Sequence, residues 1–162
     1  MEQNRIKLAF KGNGRPSNNI AVVQNQRVCF LNGKNTGQLG VTQIEGETKE
    51  NLRVTSVERT LIDIAVRPMY SGGVSEILTA FKTAKEKEVI SVNKLVAMLK
   101  EMNFVYPYHQ AIGFYMEKSG VYDDFSLSLL KKIGMQYDFY LTYKIQEPEY
   151  SKTWRIFYPK GL

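Results

Sequence analysis

Polar and apolar residues alternate over the first part of the chain and then change to a helical period. Residues 6–10 alternate between large apolar and other side chains, the pattern of a half-buried strand. Two apolar runs at 20–24 and 27–31 flank Asn25-Gln26 and predict a β-hairpin. Shorter runs at 41–44 and 52–54 predict two more strands. This part of the chain therefore indicates a small, curved, mainly antiparallel sheet.

A short helix is predicted to begin near residue 55. Thr55 and Glu58 have the T-x-x-E spacing of a capping box, in which each side chain bonds the other residue's backbone N–H. Pro68 cannot continue the helix, and Gly72-Gly73 allows a turn before the next periodic run. One apolar stripe is expected to face the core, formed by Val57, Leu61, Ile64 and Ala65.

Four more helices follow from the 3.6-residue period of the next segment. One runs from Val74 to about Lys87, and Ser91 is the expected N-cap of the second. The third is predicted at residues 107–120, and the fourth is capped by Asp123 or Asp124 and ended by Gly134. Aromatic strands at 138–144 and 153–158 are expected to form a hairpin, with the segment around Pro148 as its loop.

The predicted fold class is α+β within one domain, residues 1–162. It combines a small, mainly antiparallel N-terminal sheet, a central region of four to five helices and a C-terminal aromatic β-hairpin. The β-rich part covers residues 1–53, the helical part 54–135 and the hairpin 136–162. A hydrophobic content of 43% is enough for a buried core.

Composition narrows the class of protein. Cys29 is the only cysteine, which excludes an internal disulfide framework and a cysteine-rich zinc site. No apolar run approaches the roughly 18 residues of a membrane span. We therefore expect a soluble cytoplasmic protein that does not associate with a membrane, and the sequence leaves its oligomeric state unknown.

The net charge of +6 is concentrated near the N-terminus. Residues 1–44 contain six basic residues and one acidic residue. Such a concentration raises the odds of an anionic partner, either nucleic acid or an acidic protein face. The favoured interpretation is that basic residues on strand faces and loops serve solubility alone. The candidate residues of this anionic-partner surface are Lys7, Lys11, Arg15, Arg27 and Lys34.

Few residues indicate catalysis. His109 is the only histidine. A packed, structural role is favoured over a catalytic one, since acid–base catalysis needs a partner group that the spacing does not show. Glu47-Thr48-Lys49 is an E-x-K triplet, but the first aspartate of the chain is Asp63, so the acidic set of a metal-dependent nuclease is incomplete. Asp123-Asp124 fits a helix cap better than a cation site. We expect no catalytic residue, metal site or cofactor, with a nuclease as a remote alternative.

Arg59 and Asp63 lie four residues apart and are neighbours on the predicted helix. They could form a surface pair worth a few tenths of a kcal/mol. The favoured interpretation is structural: Arg59 binds backbone carbonyls near the strands, and Asp63 fixes a turn.

A winged helix-turn-helix is an alternative for the helical region. The third of the four later helices, at residues 107–120, would enter the major groove, and the C-terminal hairpin would be the wing. Tyr108, His109 and Gln110 would then reach the bases. Against this, Lys118 is the only cation on that helix.

The segment from Thr55 to Asp63, reading TSVERTLID, resembles a signature of AbiEi-type antitoxins, which belong to bacterial type IV toxin–antitoxin systems of abortive infection. The resemblance continues with Pro68 and Gly72-Gly73 and reaches the strands around residues 138–141 and 154–156. It covers the chain from Leu52 to its end. The motif residues to which the resemblance gives a structural role are Glu58, Arg59, Thr60, Asp63, Pro68, Gly72 and Gly73.

The resemblance implies a transcriptional regulator that represses its own operon and counteracts a nucleotidyltransferase-like toxin, without a stable complex between the two. In this family an N-terminal winged helix binds operator DNA, and the following domain provides antitoxin activity. Residues 1–50 show strands and no helix-turn-helix pattern. We therefore expect this chain to correspond to the second domain.

Overall fold

The computed structural model describes residues 19–31, 36–135 and 137–162. The chain divides into two compact units, Met1–Gly37 and Gln38–Leu162. The strand predicted at residues 6–10 lies outside the described residues.

A two-stranded hairpin forms the described part of the first unit. Strand β1 (Ile20–Val23) pairs antiparallel with β2 (Gln26–Cys29). The connecting residues Gln24 and Asn25 have φ values of 48° and 63°. Two left-handed residues suit the right-handed twist of a tight hairpin, and asparagine tolerates this conformation better than most residues do. The hairpin is confirmed, with its turn one residue earlier than predicted.

The second unit begins with another antiparallel hairpin, formed by β3 (Val41–Glu45) and β4 (Asn51–Thr55). The two hairpins are separate two-stranded sheets. The predicted α+β class with antiparallel strands before the helices is confirmed. The four strands described in this part of the chain form two separate hairpins and not one sheet.

Five helices follow in the part of the second unit that the structure describes. A 3-10 helix at Pro68–Tyr70 separates the first two of them. Their bounds are Val57–Val66 for α1, Val74–Glu86 for α2, Val92–Met102 for α3, Tyr108–Ser119 for α4 and Asp124–Lys131 for α5.

Two helix starts and one helix end agree with the predicted caps. The hydroxyl of Ser91 accepts the Lys94 N–H at 3.4 Å, and the carboxylate of Asp123 accepts the Ser126 N–H at 2.7 Å. Gly120 ends α4 with a φ of 71°, a left-handed conformation that glycine adopts without a Cβ penalty.

Helix α4 lies in the middle of the helical core. It contacts α1, α2, α5 and a C-terminal strand. Tyr108 and Gln110 are buried, and the Gln110 amide donates to the carbonyls of Tyr137 and Trp154 at 2.9 and 2.6 Å. A helix with these contacts cannot enter a major groove without leaving the core. The version of the winged-helix alternative in which Tyr108 and Gln110 read bases is therefore wrong.

A three-stranded sheet ends the chain, in the order β5-β7-β6. Strand β5 (Phe139–Tyr140) runs parallel to β7 (Ile156–Pro159), and β6 (Pro148–Ser151) runs antiparallel to β7. The aromatic hairpin is present, but β6 and β7 form it, so the Pro148 segment is a strand and not the loop. Proline is accepted here because β6 is an edge strand.

Among the described residues, no helix combines the length and apolar character that a membrane crossing requires.

Candidate functional site

Of the residues predicted to form the anionic-partner surface, the structure describes one, Arg27. Arg27 lies on β2 opposite Val22 and is exposed. Lys7, Lys11, Arg15 and Lys34 lie outside the described residues, so this set stays a prediction.

The resemblance segment begins with a different cap from the predicted one. Ser56 is the N-cap of α1, and its hydroxyl accepts the Arg59 N–H at 3.4 Å. Thr55 is the last residue of β4, and its hydroxyl lies 2.7 Å from that of Thr60. The predicted Thr55–Glu58 capping box is therefore wrong, because Thr55 keeps its ladder position in the strand.

Glu58 is buried, with 5% of its surface exposed. Its carboxylate accepts the backbone N–H of Ser91 at 3.0 Å and lies 3.8 Å from the Lys94 ammonium. Burial alone would raise its pKa, but the Ser91 N–H and further hydrogen bonds outweigh burial, and the pKa of Glu58 is lowered. Val57 is exposed instead, so the core face of α1 is formed by Glu58, Leu61, Ile62 and Ala65.

Arg59 ties α1 to the turn before β3. Its Nε donates to both carboxylate oxygens of Asp63 at 3.0 and 2.9 Å, and an Nη atom donates to the Leu39 carbonyl at 2.7 Å. Arg59 is the more buried partner of the pair, with 14% of its side chain exposed against 45% for Asp63. The predicted contact of Arg59 with a backbone carbonyl is present, and Asp63 orients Arg59 instead of fixing a turn.

The remaining motif residues shape the backbone. The Thr60 hydroxyl donates to the Ser56 carbonyl at 2.9 Å, and Pro68 begins the 3-10 helix. Gly72 and Gly73 have φ values of 78° and 93°, a region in which a side chain is strained. These two consecutive glycines turn the chain into α2. The motif residues therefore have a structural role.

His109 lies beside a cleft of about 330 Å³ between the end of α3 and the start of α4. Its Nε2 is 2.7 Å from the carbonyl of Gly134 and must carry the proton, because a carbonyl only accepts. Burial lowers its pKa, which favours the neutral ring. The cleft is lined by aromatic, apolar and basic side chains, among them Tyr106, Tyr137 and Lys100, and no carboxylate is among the described residues that line it. This geometry fits a packed histidine.

The outer face of the C-terminal sheet carries aromatic residues that the sequence did not single out. Tyr140, Phe157 and Tyr150 are register partners across β5, β7 and β6 and share one face. Ring centroids are 4.6 Å apart for Tyr140 and Phe157 and 4.7 Å apart for Tyr150 and Phe157. Phe139 and Ile156 occupy the opposite, buried face. We call Tyr140, Phe157 and Tyr150 the aromatic face.

A polar network adjoins the aromatic face. The carboxylate of Asp138 accepts the Tyr150 hydroxyl at 2.7 Å and the Arg155 Nε at 3.0 Å. The bonds from Arg155 and Tyr150 lower the pKa of Asp138, and the same carboxylate raises the pKa of Tyr150. The aromatic residues near the C-terminus predicted strands from sequence. The alignment of the three rings could not be predicted, because it depends on the pairing of the Pro148 segment with β7.

The described residues contain no group of three or more histidine, cysteine, aspartate or glutamate side chains placed to hold a metal ion. The E-x-K triplet Glu47-Thr48-Lys49 lies in the exposed connection between β3 and β4.

No protein-family model, curated protein or solved structure matches this chain. The resemblance to AbiEi-type antitoxins stays a prediction from the residues that carry it.

Proposed function

We propose that this chain is the effector domain of an AbiEi-type antitoxin and transcriptional regulator, and that it counteracts a nucleotidyltransferase-like toxin by binding and not by catalysis. The resemblance of residues 55–73 is the basis for the family. One observation supports the non-catalytic part: the charged groups of this segment bind other parts of the fold. Glu58 accepts the Ser91 N–H, and Arg59 binds Asp63 and the Leu39 carbonyl. Binding would then use other, exposed surfaces of the domain.

The test is rescue of growth in bacteria that express the nucleotidyltransferase-like toxin encoded beside this gene. We expect the wild-type chain to restore growth. Glu58→Gln and Asp63→Asn should also restore it, because an amide oxygen can still accept the hydrogen bonds that position these helices. A catalytic carboxylate would not tolerate the same changes.

Failure of the wild-type chain to rescue growth contradicts the antitoxin proposal. Loss of rescue in a folded Glu58→Gln or Asp63→Asn variant contradicts only its non-catalytic part. Soluble expression and the urea midpoint of each variant separate a loss of function from a loss of folding.

A nucleic-acid-binding module is the second candidate, with operator DNA as the partner. The exposed position of Arg27 on β2 and the basic residues of the N-terminal quarter favour it. Contacts of this kind are made to phosphates, so affinity for duplex DNA should fall steeply as salt rises. Both candidate functions belong in the cytoplasm, where we propose that the protein acts.

A further inference from the structure

The aromatic face is exposed and prearranged. Tyr140 is 39% and Tyr150 40% exposed, although both rings stack on Phe157. Each tyrosine ring contacts Phe157 on one side, and its remaining exposed surface is available to another planar ring. The sheet buries its other face, so the aromatic side is the one open to a ligand.

Tyr150 is held in place across the sheet. It belongs to β6, whereas Asp138 directly precedes β5 on the other side of β7. The hydrogen bond between the Tyr150 hydroxyl and Asp138 therefore makes the side chain cross β7. Arg155 fixes the acceptor by donating to the same carboxylate oxygen. A ring whose position is set before binding loses little conformational entropy on binding.

Cations lie at both ends of this sheet. Lys144 follows β5, and Lys152 lies in the turn between β6 and β7, which is the opposite end because β6 runs antiparallel to β7. Neither lysine has an ion-pair partner among residues that the structure describes. Asp138, which bonds the Tyr150 hydroxyl, is paired with Arg155. Glu147, which directly precedes β6, is paired with Lys160. The surface thus offers stacking positions flanked by positive charge and little free negative charge.

We infer that the aromatic face binds single-stranded nucleic acid, with bases stacking on Tyr140 and Tyr150 and with Lys144 and Lys152 near the phosphates. Aromatic rings on a sheet flanked by cations are the arrangement that sequence-tolerant single-strand binders use. Protein–protein interfaces usually centre on an anchor residue that is largely desolvated in a pocket. On this surface the rings are exposed and the charges lie around them, which fits a protein partner less well. This inference goes beyond the antitoxin proposal and does not depend on it.

The test is fluorescence anisotropy with labelled oligouridylate and oligothymidylate of about ten nucleotides, within the usual site size of such binders. We expect the full-length chain to bind both single strands. Tyr140→Leu and Tyr150→Leu keep apolar bulk but remove the π-face, and each should weaken affinity roughly five- to hundredfold. Tyr150→Phe keeps the ring and loses only the bond to Asp138, so its effect should be smaller.

Phe125→Leu is the matched control, because Phe125 is 65% exposed on α5 and lies outside the sheet. It should bind as the wild type does. The inference is overturned if neither oligonucleotide binds, if the tyrosine variants bind as tightly as the wild type, or if Phe125→Leu loses as much affinity as the tyrosine variants. If no oligonucleotide binds and the tyrosine variants instead lose toxin rescue, the face is a protein-docking surface and the inference is wrong.

Discussion

The carboxylate of Glu58 provides a cap for a helix to which it does not belong. In a capping box, an acidic or amide side chain at the third helical position accepts the N–H of the N-cap residue. In α3 that position holds Lys94, a cation that cannot accept. Glu58 of α1 takes over this role and accepts the Ser91 N–H. One buried residue therefore fixes how α1 docks on α3.

We predict that Glu58→Ala lowers the free energy of unfolding by about 1–3 kcal/mol, since the Ser91 N–H loses its acceptor in a partly buried place. Glu58→Gln should cost clearly less, because its amide oxygen still accepts. Lys94→Ala is the control and should cost less than about 1 kcal/mol, because the Lys94 side chain is 58% exposed and its ammonium lies 3.8 Å from the Glu58 carboxylate. Urea unfolding measures all three. Equal losses for the alanine and glutamine variants would contradict the capping role and indicate that charge matters instead.

Helices α2 and α3 could be predicted from sequence because their signals are local. Apolar residues repeat along one face of each helix, and Ser91 precedes its helix at the cap position. Helix α4 was found from its ends, Pro107 and Gly120, but not its place in the centre of the core. Its position depends on four neighbouring elements, and no local pattern encodes that.

The C-terminal sheet was predicted less well because its pairing is not local. Strand β5 pairs in parallel with β7, and the connection between them contains β6, which lies on the other side of β7. Pro148 favoured a loop, and its acceptance depends on β6 lying at an edge. The same limit applies to the site. The spacing of Arg59 and Asp63 predicted their pairing. The Leu39 carbonyl that accepts from Arg59, and the Ser91 N–H that donates to Glu58, follow only from tertiary packing.

Contact between α4 and the C-terminal sheet depends on the absence of a side chain at Gly113. A Cβ atom there would overlap the ring of Trp154, which is fully buried. We predict that Gly113→Ala destabilises the protein by about 1–3 kcal/mol through overpacking. At an open helical position the same change would stabilise it by up to about 1 kcal/mol.

Urea unfolding gives the sign of the Gly113→Ala effect. The matched measurement repeats the substitution in a Trp154→Leu background, where the smaller side chain leaves room for the new methyl group. There the added alanine should be neutral or stabilising. A similar loss in both backgrounds would show that the ring does not cause the destabilisation, since residues that do not interact have additive effects.

At the scale of the whole molecule, the two candidate nucleic-acid surfaces belong to different units. Lys7, Lys11, Arg15, Arg27 and Lys34 all belong to the unit Met1–Gly37, and the aromatic face belongs to Gln38–Leu162. Every buried apolar side chain in the described part of the chain also belongs to the second unit. A chain of residues 38–162 therefore keeps this core and one of the two surfaces.

We predict that residues 38–162 unfold cooperatively in urea and separate the two modes of binding. The full-length chain should bind duplex DNA with a steep dependence on salt, and the log–log slope should fall by roughly 0.9 for every phosphate-binding cation that truncation removes. The truncated chain should keep its affinity for oligothymidylate, because stacking on the aromatic face depends less on phosphate binding. If the salt dependence of duplex binding is unchanged by the truncation, the N-terminal basic residues are not the DNA-binding surface. Loss of oligothymidylate binding by a folded truncated chain would instead assign single-strand binding to those residues.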